Sequence, residues 1–128
     1  MAQPESVPRE FDVRTIVLLV RPDDAPDLPE AELDRLQAEH LAFGSDLFAR
    51  GLTVVNGPLT DQSDISLRGL AVYTVDAAHA LELASQDPTV RAGRLRPEVA
   101  RWWTGADRIA FPQHDGRVGE RLSLEDMA

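Results

Sequence analysis

Apolar positions recur along this chain in two rhythms, and each predicts its own elements. Val13 to Val20 (VRTIVLLV) is β-branched and apolar at almost every position, which predicts a central strand buried on both faces. Arg21 to Pro29 carries three prolines, which forbid a regular continuation and predict a loop. From Pro29 to Arg50 the rhythm changes. Leu33, Leu36, His40, Phe43 and Leu47 recur three or four residues apart, the spacing of one amphipathic helix face. Leu41, Gly44 and Phe48 form a second stripe expected to widen that face, and Gly51 ends the helix.

Leu52 to Asn56 predicts a second strand stopped by Gly57-Pro58, residues 59–68 a polar hairpin connection, and Gly69 to Val75 a third strand. Asp76 is placed to N-cap a helix over Ala77 to Ser85, which Asp87-Pro88 breaks. One more turn is expected at Thr89 to Gly93 and a last strand at Pro97 to Thr104. Residues 1–12 are expected to form a disordered leader. Residues 111–128 are expected to form a polar C-terminal extension with a short helix at Leu122 to Met127.

The order β-α-β-β-α-β over residues 13–110 predicts an α+β domain of the ferredoxin-like kind. Its four-stranded antiparallel sheet would carry two helices on one face. Two helices cover one side of such a sheet only. Because the first strand is apolar on both faces, the bare side is expected to meet a second copy, giving a homodimer.

Composition narrows the chemistry. A chain of 128 residues fits one core. Cysteine is absent, which removes disulfides, thiolate nucleophiles and sulfur-ligated metals. All 13 basic residues are arginine, so a Schiff-base lysine and a P-loop lysine are excluded. The formal charge of −9 argues against nucleic acid and anionic membranes as partners. The charge is uneven: Arg91 to Arg108 holds five arginines against two acids, a stretch able to attract an anion locally or simply to be solvated. No apolar run is long enough to span a membrane, and the amino end is polar and acidic, so a soluble cytoplasmic protein is expected.

His40 stands where an ordinary helix would place a leucine. A polar ring on that seam needs a hydrogen-bond partner, whether it is a core residue or a pocket wall. The candidate partner is Asp87, in Ser85-Gln86-Asp87-Pro88. Other candidates for substrate binding are Arg21, directly after the first strand, Gly57 and Pro58 at a strand end, and Trp103. Each also has a plain reading: a solvated arginine, a turn, a core or interface tryptophan. Trp102 and Trp103 must face opposite sides of their strand. Tyr73, mid-strand, reads as packing, and His79 as exposed. No H-x-x-x-H or H-x-H spacing supports a metal site, and the nucleophile-elbow, Walker and dinucleotide motifs are all missing.

His40 in the first helix, Gly51-Leu52 and Asn56-Gly57-Pro58 at the second strand, and Arg68-Gly69 opening the third belong to one pattern. Asp87-Pro88 with Val90 and Gly93, and the Trp102-Trp103 pair, complete it. In order and spacing this resembles the YciI-like (YCII-related) proteins, over about residues 13–105. The resemblance implies a dimeric α/β barrel and an active-site histidine and aspartate that fall on His40 and Asp87. It further implies activity on small ring compounds, such as isomerisation or elimination, with no cofactor. A carboxylate bonded to one imidazole nitrogen fixes the tautomer and makes the other nitrogen a better base. Two readings therefore stand side by side. One is a cofactor-independent enzyme with a His40–Asp87 pair. The other is a noncatalytic dimeric module binding a small ligand or a partner protein, with His40 a satisfied core residue and Asp87 a cap before Pro88.

Overall fold

The computed structural model describes residues 7–114 and 116–127; residues 1–6 of the expected leader lie outside the described residues. The strands are β1 (Glu10–Val20), β2 (Thr53–Pro58), β3 (Leu67–Tyr73), β4 (Arg96–Gly105) and β5 (Glu120–Ser123). The helices are α1 (Glu30–Ala49), α2 (Ala77–Ala84) and the short α3 (Pro88–Arg91), and a 3₁₀ turn follows β5 at Leu124–Met127. All strand pairs are antiparallel, in the order β2-β3-β1-β4, with β5 also on β1. The fold is α+β, compatible with a ferredoxin-like arrangement. No described helix is long and apolar enough to cross a membrane.

Alternation along β1 sorts the sheet into two faces. Val17 and Leu19 face the helices. There Val17, Leu47, Tyr73, Ala80, Leu83 and Ala84 form the main core, with Phe43 and Val99 packed against it. In α1 the stripe Leu36–His40–Phe43–Leu47 turns inward as its spacing requires, and Leu36 and Leu47 are buried. The second stripe does not widen that face. Leu41 is 57% exposed and Phe48 36% exposed: α1 packs against α3 and over the β2 edge, and neither buries this stripe. Gly51, at φ +75°, closes α1 by letting the Leu52 N–H donate to the Leu47 carbonyl.

The sheet has five strands, not four, and the fifth comes from the segment expected to be a polar extension. On the face away from the helices, Phe111 and Val118 pack against Ile16, Val54 and Val72. β5 then pairs with Glu10–Val13, occupying the edge of β1 that β3 leaves free beyond Thr15. Gly119 makes this approach possible. Its φ is +91°, and any Cβ there would collide with the Val13 carbonyl oxygen. Leu122 pairs in β5 and the helical turn begins only at Leu124.

A charged cluster fastens the segment. Asp12 is 2% exposed and accepts from Arg121 Nε at 2.8 Å and from the Asp107 backbone N–H at 2.8 Å. Arg117 lies 3.2 Å and Arg14 3.7 Å from the same carboxylate. Arg14, equally buried, donates to Thr104 Oγ1 at 3.0 Å, and its guanidinium sits 5.2 Å from the centre of the Phe111 ring. Burial alone would push the Asp12 carboxyl up. The Asp107 N–H, Arg121 and the Arg14 charge outweigh it and hold the carboxyl below its usual range. The expected leader is therefore corrected at its end: residues 10–12 are strand, and Asp12 is a structural anchor.

Candidate functional site

His40 and Asp87 meet. The Nδ1–H of His40 donates to Asp87 Oδ2 across 2.7 Å, joining α1 to the junction between α2 and α3. The junction explains why Asp87 is rigid. The Asp87 N–H donates to the Ala84 carbonyl as α2 ends, and the Val90 and Arg91 N–H groups donate to the Asp87 carbonyl as α3 begins. Oδ1 of the carboxylate accepts from Thr89 N at 2.9 Å and Thr89 Oγ1 at 2.7 Å, an N-cap with Pro88 at the first helical position. One oxygen of Asp87 thus caps α3 and the other holds His40.

The geometry fixes the tautomer. An ionised carboxylate only accepts, so a neutral His40 carries its proton on Nδ1 and leaves the Nε2 lone pair free. Among the described residues nothing hydrogen-bonds Nε2. The His40 side chain is 26% exposed against 5% for Asp87, so the ring is reachable while its partner is sealed. Tyr73 belongs to the same surroundings. Burial pushes its hydroxyl up to about 12, and the charge of Asp87 adds to the shift. It remains a neutral donor at physiological pH, and its 4% exposure agrees with the packing role expected of it.

One turn beyond His40, α1 and β2 enclose an open groove of about 360 Å³ lined by Gly44, Ser45, Phe48, Val54, Val55 and Asn56. A Cβ on Gly44 would stand 3.6 Å from the Asn56 amide nitrogen, ordinary contact distance, so the helix passes close to this amide without requiring a glycine there. Asn56 was legible in the sequence only as a strand-end residue. Its position under the His40 stripe follows from the β2–β3 register, which sets Asn56 opposite Ala71 on the helix side.

The other candidates separate. Gly57 and Pro58 are exposed on the β2 edge, opposite Leu70 and Gly69. Arg21 follows β1 at that same end of the sheet and donates from Nε to the Arg94 carbonyl at 3.1 Å. Trp103 lies opposite Val13 and packs on Phe11, ring centres 5.6 Å apart. Val13 and Val20 are separated by about 23 Å of strand at the usual rise. Trp103 and Arg21 therefore do not line one small-ligand site within a chain. Trp102, opposite Arg14, faces the other side and is 39% exposed. His79 is exposed on α2, its N–H capped by Asp76. Among the described residues no three His, Asp or Glu side chains are grouped to hold a metal. Compared with known proteins, the chain matches no family model and no curated relative.

Proposed function

We propose that this chain is a YciI-like, cofactor-independent enzyme in which His40 moves a proton on a small cyclic or phenolic compound, driving isomerisation or elimination. The single observation that carries this reading is the 2.7 Å contact from Nδ1 to Asp87 Oδ2, with the second oxygen of Asp87 locked by Thr89. Nε2 is then the base: it takes a proton from a carbon beside a carbonyl and returns it elsewhere on the ring or releases it with the leaving group. Asp87 orients the ring and stabilises the imidazolium that forms.

Hydrogen–deuterium exchange tests the chemistry without knowledge of the natural substrate. In D₂O the wild type is expected to exchange the acidic C–H of at least one member of a panel of small cyclic ketones and lactones, followed by proton NMR. His40→Gln should slow that exchange by about 10²–10⁴-fold, the usual contribution of a positioned base, with the fold retained. Exchange equal in both proteins would leave the noncatalytic reading, in which the His–Asp contact only ties α1 to α3.

We also propose that the chain pairs sheet to sheet with a second copy, as in a dimeric α/β barrel. Phe111 and Val118 cover only part of the face away from the helices. Leu18 and Leu70 remain half-buried there, and Val55 and Trp102 are 51% and 39% exposed. Sedimentation should give a dimer that Trp102→Glu converts to a monomer; a monomeric wild type would overturn the pairing.

A further inference from the structure

Three arginines gather where β1 ends and β3 and β4 begin. Val20 pairs with Leu67 on one side and Arg96 on the other, and the Arg21 N–H donates to the Ser66 carbonyl. This sets Arg21 between Arg68 on the β3 side and Arg94 just before β4. All three are half-buried. Each spends one N–H on a backbone carbonyl. Arg21 Nε donates to Arg94 O at 3.1 Å, Arg68 Nε to Ile65 O at 2.7 Å, and Arg94 Nη1 to Pro26 O at 2.7 Å. These bonds pin the stems and leave most of the five N–H groups of each guanidinium without a described partner.

No acid answers them. Arginines elsewhere, such as Arg14, Arg35 and Arg121, lie in ion pairs, but none of these three pairs with a carboxylate among the described residues. Asp64, close in sequence, is engaged with the N–H and hydroxyl of Ser66. Burial, with the adjacent charges of Arg68 and Arg94, holds Arg21 below the usual arginine value. In a chain with 22 acids and 13 arginines, like charges held together with spare donors call for an external counter-charge.

We propose that Arg21, Arg68 and Arg94 form a binding site for the doubly negative oxyanion group of a small molecule, a dicarboxylate or a phosphate monoester. Three planar forks suit an oxyanion that accepts several N–H donors at once. The overall charge of −9 disfavours nucleic acid as the source of that anion. The site is independent of the proton-transfer reading of His40 and adds Arg68 and Arg94 to the one arginine the sequence singled out.

Titration calorimetry with inorganic phosphate and with succinate tests it on the full chain, against sodium chloride at matched ionic strength. One saturable site per chain is expected, with Kd weakened at least tenfold in Arg68→Ala. That side chain makes its hydrogen bond only to the turn at exposed Ile65, so the variant should fold. Arg50→Ala, which removes a surface pair with Asp46, and His40→Gln should both bind as the wild type does. Tighter phosphate assigns a phosphate monoester, and tighter succinate a dicarboxylate. Binding no greater than in chloride, or equal in wild type and Arg68→Ala, would overturn the proposal.

Discussion

Asp12→Asn is expected to lower folding stability by about 3–5 kcal/mol, the range found when one partner of a buried ion pair is removed. The amide still accepts one hydrogen bond. It strips buried Arg14 of the carboxylate it pairs with, beside Arg117 and Arg121, of which Arg121 keeps only the exposed Glu10 and Asp107. Among the described residues Arg14 Nε is already without a partner. The loss should be local before it is global: among the described residues β5 pairs only with Glu10–Val13, so amides of Glu120–Ser123 should exchange with solvent first. Urea unfolding of both proteins measures the difference. The sign of its pH dependence follows from the depressed carboxyl. Asp12 stabilises the folded chain above its ordinary value of 3.8, and that contribution fades as pH falls through the lower folded value. The gap between wild type and Asp12→Asn should therefore be full at neutral pH and close in acid. A gap under 1 kcal/mol at neutral pH would show that the cluster does not fasten the C-terminal segment.

Asp87→Asn is expected to cut His40-dependent exchange by about 10²–10⁴-fold while stability changes by less than about 1 kcal/mol. The two effects separate because the two oxygens of Asp87 have different duties. An asparagine carbonyl in place of Oδ1 still caps α3 by accepting from Thr89, and asparagine is as good an N-cap as aspartate. The amide NH₂ then faces Nδ1 and donates to it, which moves the imidazole proton to Nε2 and removes the base. Asp87→Ala would confuse the two, since it loses the cap as well. Rates from the deuterium assay, set beside urea midpoints, check the separation. Equal loss of rate and stability would mean that Asp87 acts only by holding α3.

The elements that position this pair were legible because their signals are local. His40 interrupts a leucine rhythm, and Asp87-Pro88 ends one helix and caps the next, so each residue announced a role within a few positions of itself. Their contact spans 47 residues, so the sequence offers Asp87 only as a candidate partner, and it is the fold that brings α1 and α3 together. The C-terminal segment gave no such signal. Phe111 closes the short run Ile109-Ala110-Phe111 and Val118 stands alone among polar residues, neither with a period, and their partners Ile16, Val54 and Val72 are far away in sequence. Asp12 misled for a related reason: it falls at the end of the expected leader, and its burial is tolerable only because Arg117, Arg121 and the Asp107 N–H from distant segments join nearby Arg14 around it. Leu41 and Phe48 erred in the opposite direction. Spacing shows that a helix has an apolar stripe but not whether an element stands opposite it.

In the proposed site Asp87 holds His40 as a base with a free Nε2. The ¹⁵N shifts of the two ring nitrogens, recorded at a pH high enough for the imidazole to be neutral, test it most directly. In the wild type Nδ1 should carry the proton and Nε2 should show the shift of an unprotonated nitrogen, and Asp87→Asn should reverse the two. A wild-type ring protonated at Nε2, or one indifferent to the substitution, would contradict the account.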